Sequence, residues 1–116
     1  MKCIVNKTDF KIKVYIKDIT QTIVNPLNFD WELFYYTIKD VPFSVSHKVI
    51  SETERELSSN TIVLEDNSIE IRVNGFDFAK KGVLKFKSKL HFINLDFSDG
   101  VQTVETPEEE LNIQIL

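Results

Sequence analysis

Five kinds of side chain in this 116-residue sequence carry enough chemistry to act on a substrate or hold an ion: one cysteine, two histidines, scattered carboxylates, a run of lysines and a cluster of aromatics. Cys3 lies near the start of the chain with Lys2 as its only cationic neighbour, and no base stands near it in sequence to activate the thiol. His47 and His91 occupy strand-like stretches with no triad-like motif around either. His91 continues a face of lysines and reads as an ordinary exposed strand residue. His47 shares parity with Phe43 and Val45 and reads as a hydrogen-bonded, partly buried histidine.

Asp96-Phe97-Ser98-Asp99-Gly100 superficially has the form of an acidic calcium loop. It lacks the alternating Asp/Asn ligands and the late Glu of an EF-hand, and Asp-Gly has a sufficient purpose as a turn. Paired carboxylates for glycoside hydrolysis need not be close in the chain, and nothing here singles out such a pair. The three glycines form no phosphate-cradling loop. These residues predict no catalytic group, no metal and no organic cofactor, and so a protein that is not an enzyme.

Two surface features remain. Lys11, Lys13 and Lys17 share one face and Lys85, Lys87 and Lys89 another, while acidic residues gather in Glu52–Glu56 and Glu105–Glu110. Solvated strand faces and acidic turns account for both, and edge lysines also guard a sheet against unwanted pairing. The functional alternative is a basic face of one copy meeting an acidic loop of a partner. The aromatics Trp31, Phe34, Tyr35 and Tyr36 offer a second function, a stacking platform for sugar rings. Trp31 and Tyr35 share the core parity, whereas Phe34, Tyr36 and Ile38 fall on the opposite one, where water or a partner belongs unless a β-bulge turns them inward. Phe34, Tyr36, Ile38, Lys85, Lys87 and Lys89 are therefore the candidate interface residues.

The elements that must position these groups are strands. Leu84, Phe86, Ser88, Leu90 and Phe92 alternate with Lys85, Lys87, Lys89 and His91, the period of a long half-buried β-strand. Shorter strands are predicted at Phe10–Lys17, Phe29–Ile38, Phe43–Val49, Thr61–Leu64, Ser68–Val73, Val101–Glu105 and Leu111–Leu116. Turn signals at Asn25-Pro26, Lys39-Asp40, Glu65-Asp66-Asn67, Asn74-Gly75 and Asp99-Gly100 separate them. Ser51-Glu52-Thr53-Glu54 has the form of a capping box, so Ser51–Leu57 is either a turn or two of helix or a charged loop. Parallel crossovers of helical period are missing. The pattern predicts one all-β domain over residues 1–116, an antiparallel sandwich or partly closed barrel of seven or eight strands. The predicted core joins Leu84, Phe86, Leu90 and Phe92 to Phe10, Ile12, Val14, Trp31, Leu33, Ile69 and Ile71.

Composition agrees with such a domain. Hydrophobic content is 42%, with nine Phe, three Tyr and one Trp to fill a core. The net charge is −4, and only Arg55 and Arg72 stand among the fourteen basic residues, which argues against a nucleic-acid partner. A lone cysteine makes no intrachain disulfide. The longest apolar run near the start, Cys3-Ile4-Val5, is far too short for a signal-peptide core or a membrane span, so no membrane partner is expected.

Taken in order, the chain shows an opening Asp-Phe with alternation (Asp9–Ile16) and an aromatic strand ending near Thr (Phe29–Thr37). Ile-x-Ile-x-Val (Ile69–Val73), Gly-x-Leu opening a long strand (Gly82–Leu84), and Phe-x-Asp-Gly before a closing Ile/Leu strand (Phe97–Gly100, Leu111–Leu116) follow. This order resembles the small Ig-like β-sandwich at the N-terminus of baseplate-upper and fibre proteins in phages and prophages of gut Bacteroidetes. The resemblance covers nearly the whole chain as a loose pattern. It implies a non-enzymatic virion structural protein, made in the bacterial host cytoplasm, that docks in multiple copies on other virion proteins: capsid, portal or collar, tail or fibre. A homo-oligomer fits the same picture. The chain departs from the family by ending at Leu116 with no fibre following, which points to a decoration, collar or adaptor role. The runner-up expectation is a glycan-binding β-sandwich module using the aromatics.

Overall fold

The computed structural model describes residues 2–18, 20–37, 42–74 and 81–116. Ten strands lie in this part of the chain: β1 (Lys2–Ile4), β2 (Phe10–Tyr15), β3 (Asp30–Thr37), β4 (Phe43–Val49), β5 (Arg55–Leu57), β6 (Thr61–Val63), β7 (Ser68–Val73), β8 (Gly82–Ile93), β9 (Val101–Glu105) and β10 (Glu109–Ile115). Seven form one sheet in the order β1-β10-β8-β3-β4-β5, with β9 also on β8, and the other three form a sheet in the order β2-β7-β6. The inner faces of the two sheets share one apolar core. The fold is an all-β sandwich.

The long alternating stretch is the axis of the larger sheet. Along one edge β8 pairs with β3 over eight residues, from Asp30↔His91 to Thr37↔Leu84. Its other edge is divided, with Gly82–Phe86 taken by β10 and Lys89–Ile93 by β9. The handover falls at Thr106-Pro107-Glu108. Proline has no N–H to give a ladder, and here the neighbouring threonine completes the pairing. The Thr106 N–H donates to the Ser88 carbonyl at 2.9 Å, and the Ser88 N–H donates to Thr106 Oγ1 at 2.8 Å.

Burial follows the alternation. Leu84, Phe86, Ser88 and Leu90 are buried, as are Ile12, Trp31, Leu33, Ile69 and Ile71, and Phe10, Val14 and Phe92 pack against them half-buried. The polar atoms that this core takes in are mostly satisfied. The Trp31 indole N–H donates to the Pro26 carbonyl at 2.8 Å. His47 is fully rather than partly buried, stacked on Trp31 at 5.5 Å, with Nδ1 2.7 Å from the Phe29 carbonyl and Nε2 left without a partner.

The strand count exceeds the expected seven or eight because two three-residue strands carry too few residues to show a period. One is β1, which pairs parallel with β10 and departs from the all-antiparallel expectation. The other is β5, in the stretch expected to be helix or loop. There the capping-box serine does cap, since the N–H groups of Thr53 and Glu54 donate to Ser51 Oγ. They close a tight turn that leads into a strand, not a helix. Ile38, the Lys39-Asp40 turn and Gly75 of the Asn74-Gly75 turn lie outside the described residues.

Candidate functional site: the outer face of the large sheet

β3 runs without a register shift against both β4 and β8. No bulge turns Phe34 and Tyr36 inward, so they project from the outer face with Asp30 and Glu32. Trp31, Leu33 and Tyr35 fill the core. Opposite them β8 presents its basic face, in the pairs Glu32↔Lys89, Phe34↔Lys87 and Tyr36↔Lys85. The upper part of the face is thus aromatic and basic, and the lower part, around Asp30 and Glu32, is acidic.

Lys87 ties the aromatic part together. Its Nζ stands 5.9 Å from the ring centroid of Phe34 and 5.9 Å from that of Tyr36, cation–π contacts that also lay the lysine stem over apolar surface. Both rings are half-buried beneath this cover. The phenol of Tyr36 donates to Glu108. Loss of water around the ring, and then this carboxylate, push its pKa up to about 12. The phenol therefore stays neutral and keeps donating.

The acidic segment expected to meet a partner's lysines meets the chain's own. Lys85 Nζ bonds Glu110 Oε1 at 2.9 Å, which holds the ammonium above its ordinary pKa, and Lys89 Nζ lies 3.9 Å from Glu105 Oε1. Lys87 makes no ion pair among the described residues. Beside this strip a groove of about 440 Å³ is walled by Glu32, Phe34, Pro42, Lys87, Lys89 and Glu105. A second, of about 510 Å³, continues down the same face among Asp30, Lys48, Glu56 and His91.

The remaining candidates are dispersed. Cys3 is exposed on β1, at the far edge of the sheet. His91 is half-buried on the outer face, with Nδ1 3.2 Å from Thr103 Oγ1, whereas His47 points into the core, so the two histidines face opposite sides of one sheet. Among the described residues no group of three or more His, Cys, Asp or Glu side chains is placed to hold a metal. Trp31 and Tyr35, being core, offer no ring face to a sugar. Sequence reasoning missed one residue of the strip, Glu108. It stands 72 positions from Tyr36, and no local pattern marks that contact.

The fold and this face define an all-β sandwich with an aromatic–lysine strip on its larger sheet. Compared with family models, with curated proteins and with solved structures, the chain has no match.

Proposed function

We propose that this chain is a non-enzymatic structural protein of a bacteriophage particle, a decoration, collar or fibre and baseplate adaptor that works by protein–protein docking in multiple copies. The observation that carries the docking role is the Phe34–Lys87–Tyr36 strip. Two aromatic rings on the outward face of a sheet, bordered by a groove, are the kind of surface that partners bury, and aromatics supply the anchors of most interfaces. The phage setting rests on the resemblance in sequence order described above. Because Glu105 and Glu110 already neutralise two of the three lysines, docking here depends on apolar and stacking contact more than on charge steering. Its dependence on salt is accordingly weak.

The glycan-binding alternative keeps only Phe34 and Tyr36, both partly covered by Lys87. Mass spectrometry of purified particles from a host carrying the gene tests the proposal: the chain co-purifies with capsid or tail proteins in fixed ratio. Its absence from particles, together with specific retention on a glycan array that is lost in Phe34→Ala, would replace docking with sugar recognition.

A further inference from the structure

The hairpin joining β8 to β9 ends in an apolar tip. Ile93 and Leu95 are 78% and 89% exposed, and Phe97 is 47% exposed. The loop beneath them is pre-shaped. The Asn94 N–H donates to the Gly100 carbonyl, the Gly100 N–H to the Phe97 carbonyl, and the Phe97 N–H to the Asn94 carbonyl, while Asn94 Oδ1 and Asp99 Oδ1 accept the N–H groups of Asp96 and Val101. Gly100 supplies the left-handed φ of 74° that the turn requires. Such a loop holds Leu95 and Phe97 out in water with little entropy left to lose on binding, the condition under which apolar side chains act as anchors.

The same hairpin borders a receptor for such a tip. Just beyond the end of β2, at Lys17 and Asp18, the inner face of β8 and β9 is incompletely covered. The groove left there, about 320 Å³, is walled mainly by apolar surface from Leu90, Phe92 and Val104, with Lys17 and Asp18 at its rim. The Asp18 carboxylate is already engaged by the Thr20 hydroxyl and by the N–H groups of Thr20 and Thr22. Lys17 is exposed and makes no ion pair among the described residues. The tip carries Asp96 and Asp99 and no basic residue, a charge complementary to Lys17 and unfavourable at an anionic bilayer.

We propose that two copies of this chain associate by reciprocal docking of these hairpins. Leu95 and Phe97 of each copy occupy the Leu90–Phe92–Val104 groove of the other, and Asp96 lies beside Lys17. Because tip and groove lie on one hairpin, two copies related by a two-fold axis can make both contacts at once, an isologous arrangement that closes at two copies. This surface is separate from the outer-face strip, so self-association and particle docking can fail independently.

Sedimentation of the purified chain from about 1 µM to about 1 mM reads the association constant directly. A concentration-dependent dimer is expected, weakened about tenfold or more by Leu95→Asp, with a melting temperature unchanged at dilutions where the native chain is monomeric, since Leu95 touches little within its own chain. In a Cys3→Ser background, Leu95→Cys combined with Val104→Cys gives an intermolecular disulfide on mild oxidation. A monomer at all concentrations, or a dimer indifferent to Leu95→Asp, overturns the proposal. So does flotation of a monomer with phosphatidylcholine vesicles that depends on Leu95, which would assign the tip to a membrane.

Discussion

Asp66 shows how much one side chain does in this protein. Its carboxylate accepts from Ser68 N–H at 3.1 Å, Ser68 Oγ at 2.5 Å and Tyr15 OH at 2.8 Å, and pairs with Lys13 Nζ at 3.0 Å. These donors hold its pKa far below the ordinary carboxylate range, the Ser68 hydroxyl contributing most. The folded chain therefore releases this proton more readily than the unfolded chain. The stabilisation is fully present above the ordinary value of 3.8 and is lost as pH falls below it. Asp66→Asn should lower the melting temperature at pH 7, by a margin that shrinks as the pH drops below about 4. Tyr36 has the opposite sign. Its contribution is full below the ordinary 10.0 and is lost as pH rises towards 12, so Tyr36→Phe should remove a phenolate transition near pH 12 from an ultraviolet titration. In sequence Asp66 is a turn residue and Tyr36 a residue of outward parity. Alternation reports which side a residue faces, but Asp66 and Tyr36 meet side chains 51 and 72 positions away, Tyr15 on β2 and Glu108 in the connection before β10.

At the scale of the element, β8 is the strand most legible in the sequence, because the nine residues of unbroken alternation from Leu84 to Phe92 leave little choice of conformation or face. What alternation does not convey is who sits at its edges. The division of one edge between β9 and β10 depends on Thr106, whose backbone N–H donates to the Ser88 carbonyl and whose hydroxyl accepts the Ser88 N–H where the two strands hand over. Thr106→Val keeps the shape and removes the acceptor. It should cost about 1–3 kcal/mol in chemical denaturation, while Thr106→Ser should cost much less. The three-residue strands β1 and β5 were not legible for a related reason. Each is held by its neighbour, β1 by β10 and β5 by β4, and neither is long enough to carry its own period.

At the scale of the molecule, the sandwich measures 45 × 27 × 24 Å, with the two sheets packed on one core. Leu84 is 0% exposed at the centre of that core, and Leu84→Ala should cost about 2–5 kcal/mol through lost transfer energy and the cavity left behind. The inward residues of β2, β3, β7 and β8 could be read from the sequence, and so could the outward parity of Phe34 and Tyr36, whereas the register shift in β10 breaks its period. The enclosure of those rings by Lys87 and Glu108 could not, since it follows from how β8 and β10 pair. That enclosure also decides how the central claim is best tested. Phe34→Glu or Tyr36→Glu would set a carboxylate opposite Lys87 or Lys85 and add new ion pairs, so it would not isolate the rings. Phe34→Thr with Tyr36→Thr removes the rings and keeps good strand formers. The decisive measurement is incorporation of this double variant into particles in place of the native chain. The protein is predicted to fold cooperatively, with a modestly lowered melting temperature, and to be lost from purified particles. A variant that folds and is incorporated at the native level would contradict the docking role of this face.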